Sequence, residues 1–211
     1  MALIRSVFQE ELDGVSQSLV DLATMVTESV TKATDALLNA ELSVAEEVIS
    51  ADEKIDNYQH ELDSRIIDII ARQQPVASDL RALITALRMS ADLERMGDLS
   101  HHIAKVARLR HPESAVAPEL QATIKQMGEA AAKISGKVGI VIETRNTLMA
   151  LELEKDDDEM DALHRALIGT LTSGSWDKGV PGAIDITLLG RYYERFADHA
   201  VSVSRRVYFL V

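Results

Sequence analysis

From Leu12 onward the apolar side chains fall three or four residues apart, at Val15, Leu19, Leu22, Val26, Val30, Ala33 and Leu37. That step puts them on one face of an α-helix, since 3.6 residues complete a turn, and it does not fit the two-residue alternation of a strand. The step recurs at Val48, Ala51, Ile55, Tyr58, Leu62, Ile66 and Ile69, and again at Leu120, Ile124, Met127, Ala131, Ile134, Val138 and Val141. A chain carrying several such stripes hides them by packing helix against helix.

The interruptions divide the pattern into two triplets of helices. The spacing predicts a first helix over roughly residues 5–39 and a second that stops near Gln73-Gln74-Pro75, where the residue before proline disfavours helix. A third begins from a Ser78-Asp79 N-cap, carries Leu80, Leu83, Leu87 and Ala91, and ends near Arg110, before His111-Pro112. After a linker from Leu109 to Pro118, a fourth helix follows. A fifth runs from about Thr147 to Leu171, and a loop from Gly174 to Gly182 leads to the sixth. The expected fold is all-α: two tandem three-helix bundles of long antiparallel helices, in domains 1–110 and 116–211. Composition agrees, with 46% hydrophobic residues, only 4% aromatic ones and four prolines among 211 residues.

Composition also excludes several kinds of chemistry. With no cysteine there is no disulfide, no thiolate nucleophile and no Cys-based zinc site. A formal net charge of −12 repels a phosphate backbone, and no basic stripe offsets it, so direct nucleic-acid binding is not expected. The N-terminus has no apolar signal-like run and no stretch is long enough to span a bilayer, so a soluble cytoplasmic protein is expected.

The two triplets repeat each other in detail. Glu94-Arg95-Met96-Gly97-Asp98 returns one hundred positions later as Glu194-Arg195-Phe196-Ala197-Asp198, and Asp52-Glu53-Lys54-Ile55-Asp56 has a counterpart in Asp157-Asp158-Glu159-Met160-Asp161. Each motif sets two carboxylates four residues apart, one above the other on a helix. Hard cations that prefer oxygen ligands, namely iron, manganese, magnesium or calcium, would relieve the repulsion. Glu94 and Asp98 are expected to continue the face of Leu80, Leu83, Leu87 and Ala91. Two blander readings stand beside this one. The acids could be a solvated face, or Arg95 and Arg195 could each pair with an acid on a neighbouring helix.

His102 follows Asp98 by one turn and could add a nitrogen ligand, although Ser202 replaces it in the second half. His101, His111, His164 and His199 show no partner spacing and are expected to be surface or locally bonded residues. Trp176 sits in the glycine-rich loop, where packing and a partner contact are equal alternatives.

Enzyme motifs fail one by one. There is no phosphate-cradling glycine loop ending in Lys-Ser or Lys-Thr, no Gly-x-Ser-x-Gly elbow, and neither of the two Glu-x-x-His motifs of a ferritin-like di-iron site. Asp161-Ala-Leu-His164 approaches the last, with Asp in place of Glu.

Arg72-Gln-Gln-Pro-Val-Ala-Ser-Asp-Leu-Arg81, followed by Ala91-Asp-Leu-Glu-Arg-Met-Gly-Asp98, resembles the first-half signature of the PhoU family, and Glu194-Arg-Phe-Ala-Asp-His-Ala200 is similar to the second. The chain departs from the pattern in an extra Gln before Pro75, in Tyr192-Tyr193 before Glu194, and in lacking a second Pro-Val-Ala-Ser-Asp-Leu-Arg run. The resemblance implies metal clusters, iron or zinc, on Asp52, Asp56, Glu94 and Asp98 and on Asp157, Asp161, Glu194 and Asp198. It implies a homodimer and a non-enzymatic negative regulator of phosphate uptake and starvation signalling. Its implied partners are a membrane sensor histidine kinase and the ATPase subunit of the phosphate ABC transporter. The alternatives are a metal-dependent carboxylate-site enzyme and a plain helical scaffold.

Overall fold

The computed structural model describes residues 2–174 and 176–210, the side chains of 2–6 excepted. It holds six α-helices: α1 (Ala2–Asn39), α2 (Leu42–Gln73), α3 (Ala77–Arg110), α4 (Gln121–Thr144), α5 (Thr147–Thr172) and α6 (Gly179–Tyr208), and there is no strand among the described residues. A short 3₁₀ turn, Pro118–Leu120, leads into α4. The predicted all-α architecture of paired three-helix bundles is the observed one.

Local chemistry sets most of the ends. Gln74 closes α2 in the left-handed region, at φ 46°, and its N–H caps the Ile70 carbonyl. Asn146 caps α5, its side-chain oxygen accepting the N–H groups of Leu148 and Met149 at 3.1 Å. Two predicted boundaries need correction. The N-cap of α3 is Val76, without a side-chain cap bond, and Asp79 sits inside the first turn, where its charge suits the helix dipole. Helix α6 starts at Gly179, inside the segment expected to be loop, because Pro181 falls in its first turn, where a missing N–H costs nothing.

Within the first half, α2 runs antiparallel to both neighbours. Tyr58 donates to Asp21 at 3.0 Å and Arg72 to Glu11 at 3.0 Å across α1–α2, while Ser90 donates to Asp63 at 2.6 Å across α2–α3. Packing does not stop at the half-molecule. Helix α1 lies along α4 and α3 along α6, so Leu19, Ile66, Leu93, Ile124, Leu167 and Phe196 belong to one continuous core. Each such side chain, taken from water, contributes about 1.5–3 kcal/mol.

Small residues let α1 and α4 approach closely. Thr34 packs where a Cβ on Gly128 would stand, and the Thr27 and Ser135 hydroxyls are bonded at 2.7 Å. The fully buried Tyr193 of α6 reaches the same crossing and donates to the Thr34 hydroxyl at 2.8 Å, Thr34 having given its own proton to the Val30 carbonyl. Burial raises the Tyr193 phenol, so it stays neutral and donating.

Helices α3 and α6 are antiparallel and meet around the middle of their motifs. At one end Asp92 accepts from His199, Ser202 and Arg206, at 3.0, 2.9 and 3.0 Å. Burial alone would raise the Asp92 carboxyl, but those three bonds outweigh it and hold the group below its ordinary value. At the other end, at equivalent positions, Tyr192 stacks on His102 with ring centroids 5.2 Å apart.

Candidate metal centres

The first acidic cluster forms where α2 crosses α3. A Cβ on Gly97 would lie 3.0 Å from Ile55 Cγ2, so glycine in the Glu94–Asp98 motif lets the two helices close. Ile55 lies between Asp52 and Asp56, and the close approach brings both acids to Asp98: one oxygen of each lies within 4.8 Å of the others. Glu94, one turn earlier, is outside that triplet but shares its field. Burial raises its carboxyl first, then the charge of Asp98, then those of Asp56 and Asp52.

Asp52 is the most enclosed of the set, 8% exposed. One of its oxygens is bonded to His101 Nδ1 on α3, while Oδ1 is buried and has no partner, and Asp56 Oδ1 is in the same condition. Orphaned buried acceptors are rare, because each forfeits its hydration without compensation. The Asp56 carboxyl is raised by burial and then by the charges of Asp52 and Asp98. Arg95 pairs within its own helix, with Asp98 at 2.6 Å and with Glu94 at 4.0 Å, and not with an acid across the bundle as expected. Two sealed, unpartnered oxygens on Asp52 and Asp56 and a third carboxylate, Asp98, converging on one place suit a cation bound through oxygen. Asp52, Asp56 and Asp98 would hold it, with Glu94 in reach of its charge.

The expected phase of α3 is wrong. Leu80 and Ala91 are exposed, and the core face runs through Leu83, Ala86, Leu93 and Met96. The acids therefore lie on the shoulder beside the core and not at its apolar centre. Their convergence comes from the α2 partner.

In the second half, Asp157 and Asp161 on α5 face Glu194 and Asp198 on α6. Burial, then the charges of Asp161, Asp198, Asp158 and Glu194, push Asp157 up to about 6. Its neighbour Asp156 points the other way and pairs with Lys133 and Lys137 of α4 at 2.7 and 2.6 Å. Those lysines outweigh burial and hold the Asp156 carboxyl low. Glu194 is bonded by Arg191, Asp161 has Arg165 at 3.7 Å, and Asp198 is exposed. Arg195 is exposed and makes no ion pair among the described residues. No three-carboxylate convergence occurs there among the described residues.

The histidines divide differently from expectation. His111 bonds the Ala40 carbonyl at 3.1 Å, and His164 packs over Gly190. His199 and His101 instead make bonds between helices, to Asp92 and Asp52. The sequence separation of 49 between Asp52 and His101 hides their contact, but reflecting α2 onto α3 about the turn at Pro75 brings Asp52 opposite Asp98, one turn from His101. His102, the offered ligand, turns toward α6 and Tyr192.

The PhoU domain model matches residues 19–107 and again 124–207, one copy in each half. The chain belongs to the PhoU family. It is 41% identical over 206 residues, 98% of this chain and 97% of the other, to the phosphate-specific transport system accessory protein PhoU homolog 2 of Mycobacterium tuberculosis. Its fold matches the crystal structure of PhoU from Pseudomonas aeruginosa with a TM-score of 0.86 and 26% identity, covering 96% of this chain and 98% of that one. The phosphate transport system regulatory protein PhoU from Streptococcus pneumoniae gives 0.85 and 28%, covering 96% of each. These relatives make the chain an accessory protein of phosphate transport, and none of its helices is long and apolar enough to cross a membrane among the described residues.

Proposed function

We propose that this PhoU-family protein holds phosphate-starvation signalling and phosphate uptake off while phosphate is plentiful, as a cytoplasmic adaptor that carries metal on its acidic clusters. It acts by docking, as a homodimer, on a sensor histidine kinase and on the ATPase subunit of a phosphate ABC transporter. Docking shifts the populations of those partners without chemistry of its own. Family membership supports the accessory role, and the convergence of Asp52, Asp56 and Asp98 with two sealed, unpartnered oxygens carries the metal reading. Iron, zinc or another divalent cation there would lock α2 against α3 and offset much of the negative charge of the cluster. Asp157, Asp161, Glu194 and Asp198 form the second, more open site.

The deciding experiment is a phosphate-starvation reporter in phosphate-replete cells lacking the gene. Induction reversed by wild type but not by Asp52→Asn/Asp98→Asn supports the reading. Repression restored by both removes the acids from the mechanism, and no induction in the deletion rejects the regulatory role. Metal content of the purified protein is measured alongside, and a protein retaining no stoichiometric metal rejects the metal sites.

A further inference from the structure

We infer that His101 is a positioning residue of the first cluster, held from the second half of the molecule, and that it makes the two cation sites unequal in affinity. The inference rests on the reading of Asp52, Asp56 and Asp98 as a cation site.

The geometry gives His101 this role. Its Nδ1 bonds one oxygen of Asp52 across α2–α3, which fixes the carboxylate plane and leaves Oδ1, buried and unpartnered, for a cation. A carboxylate free to rotate would pay rotamer entropy on binding, whereas a clamped one has paid it in folding. An imidazole clamps through a single ring nitrogen and lacks the permanent charge of a guanidinium. An arginine in the same place would fill the cluster with the charge that the cation is to supply.

The ring itself is braced. His101 stacks on His102 with centroids 5.9 Å apart and planes at 27°, and His102 stacks on Tyr192 of α6 at 5.2 Å and 20°. A column of three rings thus runs from the first cluster to the seam between the halves. His101 Nε2 is buried and has no partner. The imidazole is therefore held by stacking and by Asp52, and not by a hydrogen bond on its far side.

The duplicate provides the comparison. The residue equivalent to His101 is Val201, buried and without a donor, and Asp157, equivalent to Asp52, accepts no hydrogen bond from any side chain among the described residues. Burial and like charges are the main influences on Asp157.

The test uses the full chain stripped with a chelator and titrated with Zn²⁺ against a chromophoric competitor, in an Asp157→Asn/Asp161→Asn background so that only the first site reports. His101→Val is expected to weaken Zn²⁺ binding about 10- to 100-fold, the range for lost outer-sphere partners. His101→Asn, which puts an amide N–H where Nδ1 stood, is expected to restore most of the affinity. Tyr192→Ala, removing the brace, is expected to weaken it by less. Unchanged affinity in a folded His101→Val protein overturns the inference and leaves the metal reading intact. Equal losses in His101→Val and His101→Asn also overturn it, since a helix-gluing contact would not distinguish them by their donor. If His101→Val does not fold, His101→Gln, whose donor is one bond farther out, replaces it with the same expectation and the same refuting result. A parent protein that binds no Zn²⁺ rejects the first-site reading and the inference with it.

Discussion

The acids of the first half and those of the second stand on equivalent turns of equivalent helices, one hundred positions apart in α3 and α6. In the first half, Gly97 meets Ile55, and three carboxylates converge within 4.8 Å with Asp52 buried and clamped. In the second, Ala197 and the unbranched Met160 stand at the positions of Gly97 and Ile55, no three carboxylates converge among the described residues, and Asp198 is exposed. Identical charges at identical spacing therefore do not make identical sites. The neighbours decide, through the distance they allow between two helices and the donor they aim at one oxygen.

The largest expected effect separates the two sites. Asp52→Asn should lower the affinity of the tighter metal site by more than the roughly 10- to 100-fold range of an outer-sphere change, while Asp157→Asn leaves that site unchanged. Isothermal titration of the stripped protein reads both. Equal effects would break the comparison.

The α3–α6 seam has its own unequal ends, and Asp92→Ala probes the polar one. Removing Asp92 leaves the Arg206 guanidinium and His199 without their acceptor in a half-buried place, which should cost about 2–4 kcal/mol in denaturant unfolding. Tyr192→Ala, at the stacked end, should cost less, since part of that ring faces solvent. Next in size is Gly97→Ala. Helix propensity favours it by about 1 kcal/mol, but Ile55 is buried and cannot give way, so the net result should be a loss of about 1 kcal/mol together with weaker metal binding. The reverse change, Ala197→Gly, should cost about 1–2 kcal/mol, since helix propensity falls and the fully buried Ala197 methyl is lost.

The smallest effect is a pH dependence of the metal-free protein. The folded pKa of Asp157 is about 6, above its ordinary 3.8, so between those values the folded state binds more protons than the unfolded one. The penalty is fully present above pH 6 and fades as pH falls toward 4. Chelated protein should thus gain from Asp157 on acidification from pH 7 to 5, and Asp157→Asn should be more stable at pH 7 and lack that gain. Asp92 works in the opposite sense, because its depressed pKa stabilises the fold above about pH 4 and the benefit is lost on further acidification. Urea midpoints at several pH values separate the two.

The helices were legible because each stripe, such as Val15 to Leu37, obeys a local period, and the acids were legible because duplication repeats them. The phase of Leu80 and Ala91 was not, since in a helix with neighbours on several sides two apolar faces compete and only tertiary packing selects one. The bonds from His101 to Asp52 and from His199 to Asp92 were not legible for a related reason. Each joins residues far apart in sequence whose meeting depends on the register between helices. The start of α6 was hidden by glycine and proline, which mark a loop equally well when they open a helix.

Helix α3 meets its own duplicate, α6, in antiparallel contact, and α1 meets α4 in the same way. That is the contact pattern of a twofold symmetric pair, in which every residue on the axis faces its copy. Two identical chains related so would be bound to change both sides of the seam at once. Tethered in one polypeptide, the sides are independent: Asp92 and Tyr192 can differ, as can His101 and Val201. The join at residues 111–117 thus does more than hold two bundles together, for it lets one half keep a clamped cluster of acids while the other keeps its acids apart.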